Sequence, residues 1–135
     1  MSATAGYSGK SLIQKLGVQV GHRLAVIDAP PHYAALIAPL PEGVERVDGI
    51  DRTAAVTHLF VRDRASLEAQ AEALFRDRPT GSMVWISWPK KSSKLFVDLT
   101  EDGVRAIVLP TGWVDVKVCA VDDDWSGLKF LRRRK

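Results

Sequence analysis

The sequence predicts an α/β domain in three layers, with a mainly parallel sheet and a C-terminal antiparallel hairpin. Two observations support this fold class. Apolar, β-prone runs alternate with helical segments over most of the chain, which is typical of parallel strands joined by right-handed crossovers. The last third instead has two strand-like runs with no helix between them. With 135 residues, the chain fits one domain over residues 1–135.

The first half supplies three strands and three helices. Residues 1–9 are small and polar, and we expect poor order there. Ser8 or Ser11 caps a short helix that ends at Gly17. Strands are predicted at 23–28, 44–48 and 56–61, and helices at 33–38 and from Asp63 or Ser66 to 77.

The central strand follows from the apolar run Met83–Ile86, which suits a strand covered on both faces. Pro89 lacks an N–H donor, so the strand is predicted to end near Trp88. Asp98 and Glu101 have the spacing of a capping box, which predicts a helix from Leu99 to about Pro110.

The last third predicts a strand at 114–120, where valines alternate with polar residues, and a final strand at 128–131. The aspartates Asp122, Asp123 and Asp124 between them lack the pattern of a calcium loop and are interpreted as a solvated turn.

The composition is that of an ordinary globular protein, with 46% hydrophobic and 26% charged residues. No apolar run approaches a membrane span, and the N-terminus lacks the features of a signal peptide, so we predict a cytoplasmic protein without a membrane partner. The net charge of +3 comes from the tail Arg132–Lys135, because the rest of the chain has 15 basic and 16 acidic residues.

The predicted site lies where parallel strands end, since an open α/β sheet gathers its ligand-binding loops at that edge. Six side chains are predicted there as ligand-binding residues: Asp28, Asp48, Trp88, Lys90, Lys91 and Ser92. The two lysines, the hydroxyl and the following helix N-terminus suit an anion. The alternative is that the lysines belong to a solvated loop.

Several other patterns do not predict chemistry. Gly9-Lys10-Ser11 imitates a P-loop, but the earlier glycine and the preceding strand are missing. Cys119 lies within a strand and is predicted to be a buried structural thiol. The three histidines have no ligand spacing, so no metal site is predicted. Nucleic-acid binding is not favoured, because the basic residues concentrate in the tail.

The alternation of strands and helices, with the closing hairpin, resembles the Rossmann-like sheet of methyltransferases. In that family the first strand is followed by an acidic residue and a glycine-rich turn that holds the cofactor. Here the turn is Asp28-Ala-Pro-Pro-His32, which has no glycine, so no cofactor is predicted. Asp48 follows Asp28 at about the distance where an acidic residue holds a ribose.

Nearly the whole chain also resembles a small bacterial family of unknown function. The resemblance lies in four stretches: Ser8-Gly9-Lys10 with Leu16-Gly17, Trp88-Pro-Lys-Lys91, Asp98-Leu-Thr-Glu101, and Val114–Ala120 running to Trp125-Ser126. It implies a Rossmann-like domain and carries no catalytic residues.

We therefore predict a non-catalytic Rossmann-like protein that binds an anionic small molecule or a protein partner. The alternative is a divergent methyltransferase-like enzyme without the usual glycine-rich cofactor turn. A third hypothesis is a nucleic-acid-associated factor that acts through the basic tail.

Overall fold

A computed structural model describes residues 11–76, 78 and 81–132. The elements are α1 (Leu12–Leu16), β1 (Arg23–Ile27), α2 (Tyr33–Ile37), β2 (Glu45–Asp48), β3 (Val56–Phe60), α3 (Arg64–Phe75), β4 (Met83–Pro89), α4 (Glu101–Val108), a 3-10 turn (Leu109–Thr111), β5 (Trp113–Ala120) and β6 (Trp125–Arg132). The predictions for residues 1–9, and for most of the basic tail, lie outside the described residues. No helix in the described ranges is long and apolar enough to cross a bilayer.

The six strands form one sheet in the order β2-β1-β3-β4-β6-β5. β1 pairs in parallel with β2 and β3, and β3 pairs in parallel with β4. β6 runs antiparallel to both of its neighbours. The predicted fold class, mainly parallel with a closing antiparallel hairpin, is confirmed.

The core lies on both faces of the sheet. Trp85 and Ile86 are fully buried in β4, and their side chains contribute to two different apolar clusters. Ile86 packs with residues of α3 and α4, whereas Trp85 packs with residues of α1 and α2. This confirms the prediction of a central strand covered by helices on both sides.

The short helix α1 begins and ends where the sequence predicts. Of the two candidate caps, Ser11 is the N-cap, and with Gln14 it forms a capping box. Gly17 ends the helix with φ at 87°, a left-handed conformation that favours glycine. Ser11 therefore acts as the N-cap of α1, and this role accounts for the serine of the P-loop-like sequence Gly9-Lys10-Ser11.

The prediction that Asp98 caps α4 is wrong. Thr100 is the N-cap, and its hydroxyl accepts the backbone N–H of Gly103 at 3.1 Å. Asp98 instead accepts the backbone N–H of Arg64 at 3.0 Å, so its carboxylate serves the first turn of α3. A loop that packs against a neighbouring helix lets a carboxylate cap that helix rather than its own, and sequence spacing alone does not contain this contact.

We expect Thr100→Ala to lower the free energy of unfolding by about 1 kcal/mol, because an orphan N–H of α4 loses its acceptor. Asp98→Ala should loosen α3 instead, with faster hydrogen exchange at the Arg64 amide and unchanged exchange within α4. Urea denaturation and exchange measured by NMR would check both, with the exposed Ser92→Ala as the control. Fraying of α4 in Asp98→Ala would contradict this assignment of caps.

Candidate functional site

A crevice of about 350 Å³ opens at the carboxyl edge of the sheet, between β1 and β3. β2 pairs with one edge of β1, and β3 pairs with the other edge. The direction in which successive strands are added to the sheet therefore reverses at this crevice. Ligands of open α/β sheets bind at such a switch point. The lining residues are Asp28, Ala29, Pro30, Pro31, Phe60, Val61, Arg62, Asp63, Ser66, Gln70 and Trp125.

Asp28 turns the chain sharply out of β1. Its φ is 59°, and it is the one non-glycine residue with a positive φ among the described residues. Aspartate tolerates this conformation better than most residues, but glycine adopts it without strain. Asp28 therefore takes the backbone role of a turn glycine while presenting an exposed carboxylate at the crevice.

Asp28 also forms one wall of a second groove, of about 490 Å³, between the ends of β1 and β2. Asp48 lies across this groove, and 82% of its side-chain surface is exposed although it pairs with Arg46 at 3.4 Å. The two grooves share Asp28 and Ala29, so they form a continuous path along the carboxyl ends of three strands.

The turn after Asp28 offers few backbone donors. Pro30 and Pro31 line the crevice and have no N–H group. The N–H of Tyr33 is already bonded to the carbonyl of Pro30 at 3.0 Å. This turn therefore offers a ligand fewer backbone donors than a glycine-rich turn does.

Aromatic rings form the inner wall of the crevice. Phe60 and Trp125 both line it and meet edge to face with their centroids 5.0 Å apart. Phe60 also meets Tyr33 edge to face at 5.3 Å and stacks on His58 at 4.3 Å. The crevice thus has an apolar wall that is fixed by packing on its inner side.

Beneath this wall lies a buried hydrogen-bonded chain that sequence analysis missed. The Tyr33 hydroxyl is 2.8 Å from Nδ1 of His58, and Nε2 of His58 is 2.7 Å from the Ser87 hydroxyl. Burial lowers the pKa of His58 to about 3 and raises the pKa of Tyr33, so both groups are neutral at physiological pH. The sequence feature that could have indicated this chain is a histidine within the apolar run of β3.

The turn at Asp122–Asp124 ties three loops together at the same edge. Asp122 accepts the backbone N–H groups of Asp124 and Trp125 through Oδ1, and its Oδ2 lies 2.8 Å from Nε2 of His32. Asp124 accepts the Lys90 N–H through its carbonyl and the Ser93 hydroxyl through its carboxylate. The segment is a turn in which Asp123 and Asp124 are exposed, as the sequence predicts, while Asp122 is half-buried. Asp122 and Asp124 in addition contact distant parts of the chain.

The six predicted ligand-binding residues divide into three groups. Asp28 and Asp48 come together across one groove. Trp88 lies in the apolar cluster beneath α3 and α4 and is 4% exposed. Lys90, Lys91 and Ser92 follow the end of β4, with Lys90 partly exposed and the other two exposed. A role in ligand binding stays a prediction for all six.

The N-terminus of α4, which we expected to help bind an anion, carries acidic side chains. The first turn of α4 contains Glu101 and Asp102, and Thr100 already satisfies the N–H of Gly103. These carboxylates reduce the positive potential that a helix N-terminus offers. An anion at this loop would therefore depend on Lys90 and Lys91.

Cys119 lies in β5 and does not line the crevice. It is half-buried rather than fully buried, and burial raises the pKa of its thiol despite the nearby Lys15 and Lys117. Within residues 11–76, 78 and 81–132, no three His, Cys, Asp or Glu side chains meet as a metal site.

Neither a protein-family model nor a curated protein sequence matches this chain. The resemblance to a family of unknown function therefore stays a prediction, whereas solved structures resemble the fold. A possible exported protein from Bordetella parapertussis has a TM-score of 0.65 at 8% identity, over 91% of this chain and 66% of that one. The chain thus spans just under two thirds of that neighbour.

Methyltransferases also resemble the fold. An S-adenosylmethionine-dependent methyltransferase from Aquifex aeolicus has a TM-score of 0.58 at 11% identity, over 91% of this chain and 88% of that one. An N-methyltransferase from Bradyrhizobium japonicum has a TM-score of 0.56 at 9% identity, over 90% and 93%. At such identities the likeness concerns the fold alone, and the chain has a Rossmann-like fold of the methyltransferase type.

Proposed function

We propose that the chain is a divergent methyltransferase-like domain that binds the nucleoside part of S-adenosylmethionine, or of a related compound, along the path from Asp48 to the crevice. The observation that carries this proposal is the pair of grooves that meet at Asp28, at the switch point of the sheet. The methyltransferases that share the fold support it as an analogy. The non-catalytic interpretation of the sequence becomes the alternative.

The side chains along the path suit such a ligand. Asp48 is an exposed acceptor at the end of β2, the strand next to β1, where it can accept hydrogen bonds from two vicinal hydroxyl groups of a ribose. Asp28 presents a second carboxylate at the junction of the grooves, which suits a cationic part of the ligand.

The turn after β1 does not suit the usual pose. Its two prolines lack the backbone N–H donors that a glycine-rich turn would supply. Asp28 adopts the positive φ that is typical of a turn glycine, but it also carries a side chain. The ligand is therefore held in an altered pose by side chains, and its affinity should depend strongly on the two carboxylates.

We further propose that Lys90 and Lys91, with Ser92, contact the anionic end of the ligand. Lys90 is bonded through its backbone to Asp124, and Asp124 precedes Trp125 in the crevice wall. The loop after β4 is therefore joined by its backbone to the segment that enters the crevice wall, and lysines on this loop suit an anionic group of the ligand.

When bound, S-adenosylmethionine would supply an electrophilic methyl group. The residues of this chain would orient it: Asp48 by holding the ribose, and Phe60 and Trp125 by closing the inner side of the crevice against water. Transfer then depends on an acceptor that enters from the open side.

We expect S-adenosylmethionine and S-adenosylhomocysteine to bind the full chain in isothermal calorimetry. Asp48→Asn should weaken binding by roughly 10- to 100-fold, because a charge-assisted hydrogen bond contributes about 1.5–3 kcal/mol. Asp102→Asn on α4 is the matched control, since Asp102 is 97% exposed and lines neither groove, and it should bind as the wild type does.

No binding of either compound at millimolar concentration would contradict the proposal, and so would equal affinities of wild type and Asp48→Asn. Binding without methyl transfer to any acceptor would favour the non-catalytic alternative.

A further inference from the structure

His32 and Asp122 form a hydrogen-bonded pair next to residues that line the crevice. Nε2 of His32 is 2.8 Å from Oδ2 of Asp122, although the two residues are 90 positions apart in sequence. The histidine side chain is 52% exposed, whereas that of Asp122 is 18% exposed. The other oxygen of Asp122 accepts two backbone N–H groups of its own turn, so the carboxylate is held from both sides.

This pairing determines which ring nitrogen of His32 is basic. A carboxylate can only accept, so Nε2 carries the hydrogen when the ring is neutral. The lone pair is then on Nδ1, which makes no hydrogen bond within the described part of the chain. An imidazole held in this way by a carboxylate presents an oriented base.

The other two histidines are arranged differently. Nδ1 of His22 accepts the backbone N–H of Gln19 at the opposite edge of the sheet. Both ring nitrogens of His58 are engaged in the buried chain. Among the three, His32 alone combines exposure, a carboxylate partner and an uncommitted ring nitrogen.

The pair also lies beside the crevice. His32 follows Pro31, and Asp122 bonds the N–H of Trp125; both Pro31 and Trp125 line the crevice. We propose that His32, oriented by Asp122, is the proton acceptor for a hydroxyl or amine group that enters this crevice. The inference rests on the proposed methyltransferase-like function, and it names a substrate class for it, an O–H or N–H nucleophile.

The step is a displacement at carbon. The O–H or N–H bond of the acceptor breaks, and its proton passes to Nδ1 of His32. The freed electron pair forms a bond to the methyl carbon of a sulfonium donor, and the electron pair of the S–C bond stays on sulfur. Asp122 stabilises the imidazolium that forms.

The orientation of the ring is tested by the tautomer of His32. Long-range ¹H–¹⁵N spectra of the full chain at pH 8 should show the Nε2–H form in the wild type. Asp122→Asn should shift it toward Nδ1–H, because the amide N–H₂ of asparagine donates to Nε2 while its oxygen still serves the turn. His22 should keep one spectrum in both proteins. An Nδ1–H form of His32 in the wild type would overturn the inference.

The position of the His32 ring is tested by acylation with diethyl pyrocarbonate. Mass spectrometry measures the rate of acylation at each histidine. S-adenosylhomocysteine at about ten times its Kd should slow acylation of His32 roughly tenfold, as mass action requires for a blocked site, and leave His22 unchanged. Binding without protection of His32 would overturn this inference and leave the proposed function intact. Failure to bind would overturn the proposed function, and the tautomer would still decide whether His32 is an oriented base.

Discussion

Trp85→Ala should lower the free energy of unfolding by about 3–5 kcal/mol, the cost of removing a large aromatic side chain from a packed core. Trp85 is fully buried in a strand between β3 and β6, against residues of α1 and α2. Its indole N–H also donates to the carbonyl of Leu16 at 3.0 Å, which joins the sheet to the end of α1. The substitution therefore creates a cavity and leaves a buried carbonyl without its donor.

Trp85→Phe is the smaller truncation, because phenylalanine keeps one aromatic ring in the core but cannot donate a hydrogen bond. It should cost about 1–3 kcal/mol, in the range of a buried acceptor that loses its partner. Val118→Ala is the control, since Val118 is 51% exposed at the edge of the sheet and should change stability by less than about 0.5 kcal/mol. Urea denaturation measures all three. Equal costs for Trp85→Ala and Val118→Ala would show that β4 is not the central strand.

The fold was predictable because its signals are local. Strands and helices alternate along the chain, and the apolar run from Met83 to Ile86 marks the strand that the helices cover on both sides. Ser11, Gly17 and Asp63 act within their own helices, so the sequence already contains them among its candidate caps. Such short-range chemistry is present in the sequence before any tertiary contact forms.

The candidate site was only partly predictable. Asp28 and Asp48 follow from the rule that parallel strands end at one edge. The bond between His32 and Asp122 joins residues far apart in the chain, and no spacing rule predicts such a contact. The same reason explains the error over Asp98, which serves a helix that begins 34 positions earlier.

The second large effect is a loss of stability in mild acid, which follows from the burial of His58. Burial lowers the pKa of this histidine to about 3 in the folded protein, against about 6.5 in an unfolded chain. Below pH 6.5 the unfolded chain takes up a proton that the native state excludes, so the free energy of unfolding falls as the pH falls toward 3. Above pH 6.5 His58 is neutral in both states, so it causes no loss of stability there. Between pH 7 and pH 5 its loss should reach about 2 kcal/mol.

This interval separates His58 from the aspartates whose pKa values are lowered, because Asp51, Asp63 and Asp115 lose their contributions only at more acid pH. His58→Gln should be less stable at pH 7, since an amide replaces the ring imperfectly between Tyr33 and Ser87. The fall in stability of about 2 kcal/mol between pH 7 and pH 5 that His58 causes should then be missing from this variant. Val118→Ala, which removes no titrating group, should keep the slope of the wild type. Urea denaturation at each pH gives the slopes, and a slope as steep in His58→Gln as in the wild type would show that another group binds the proton.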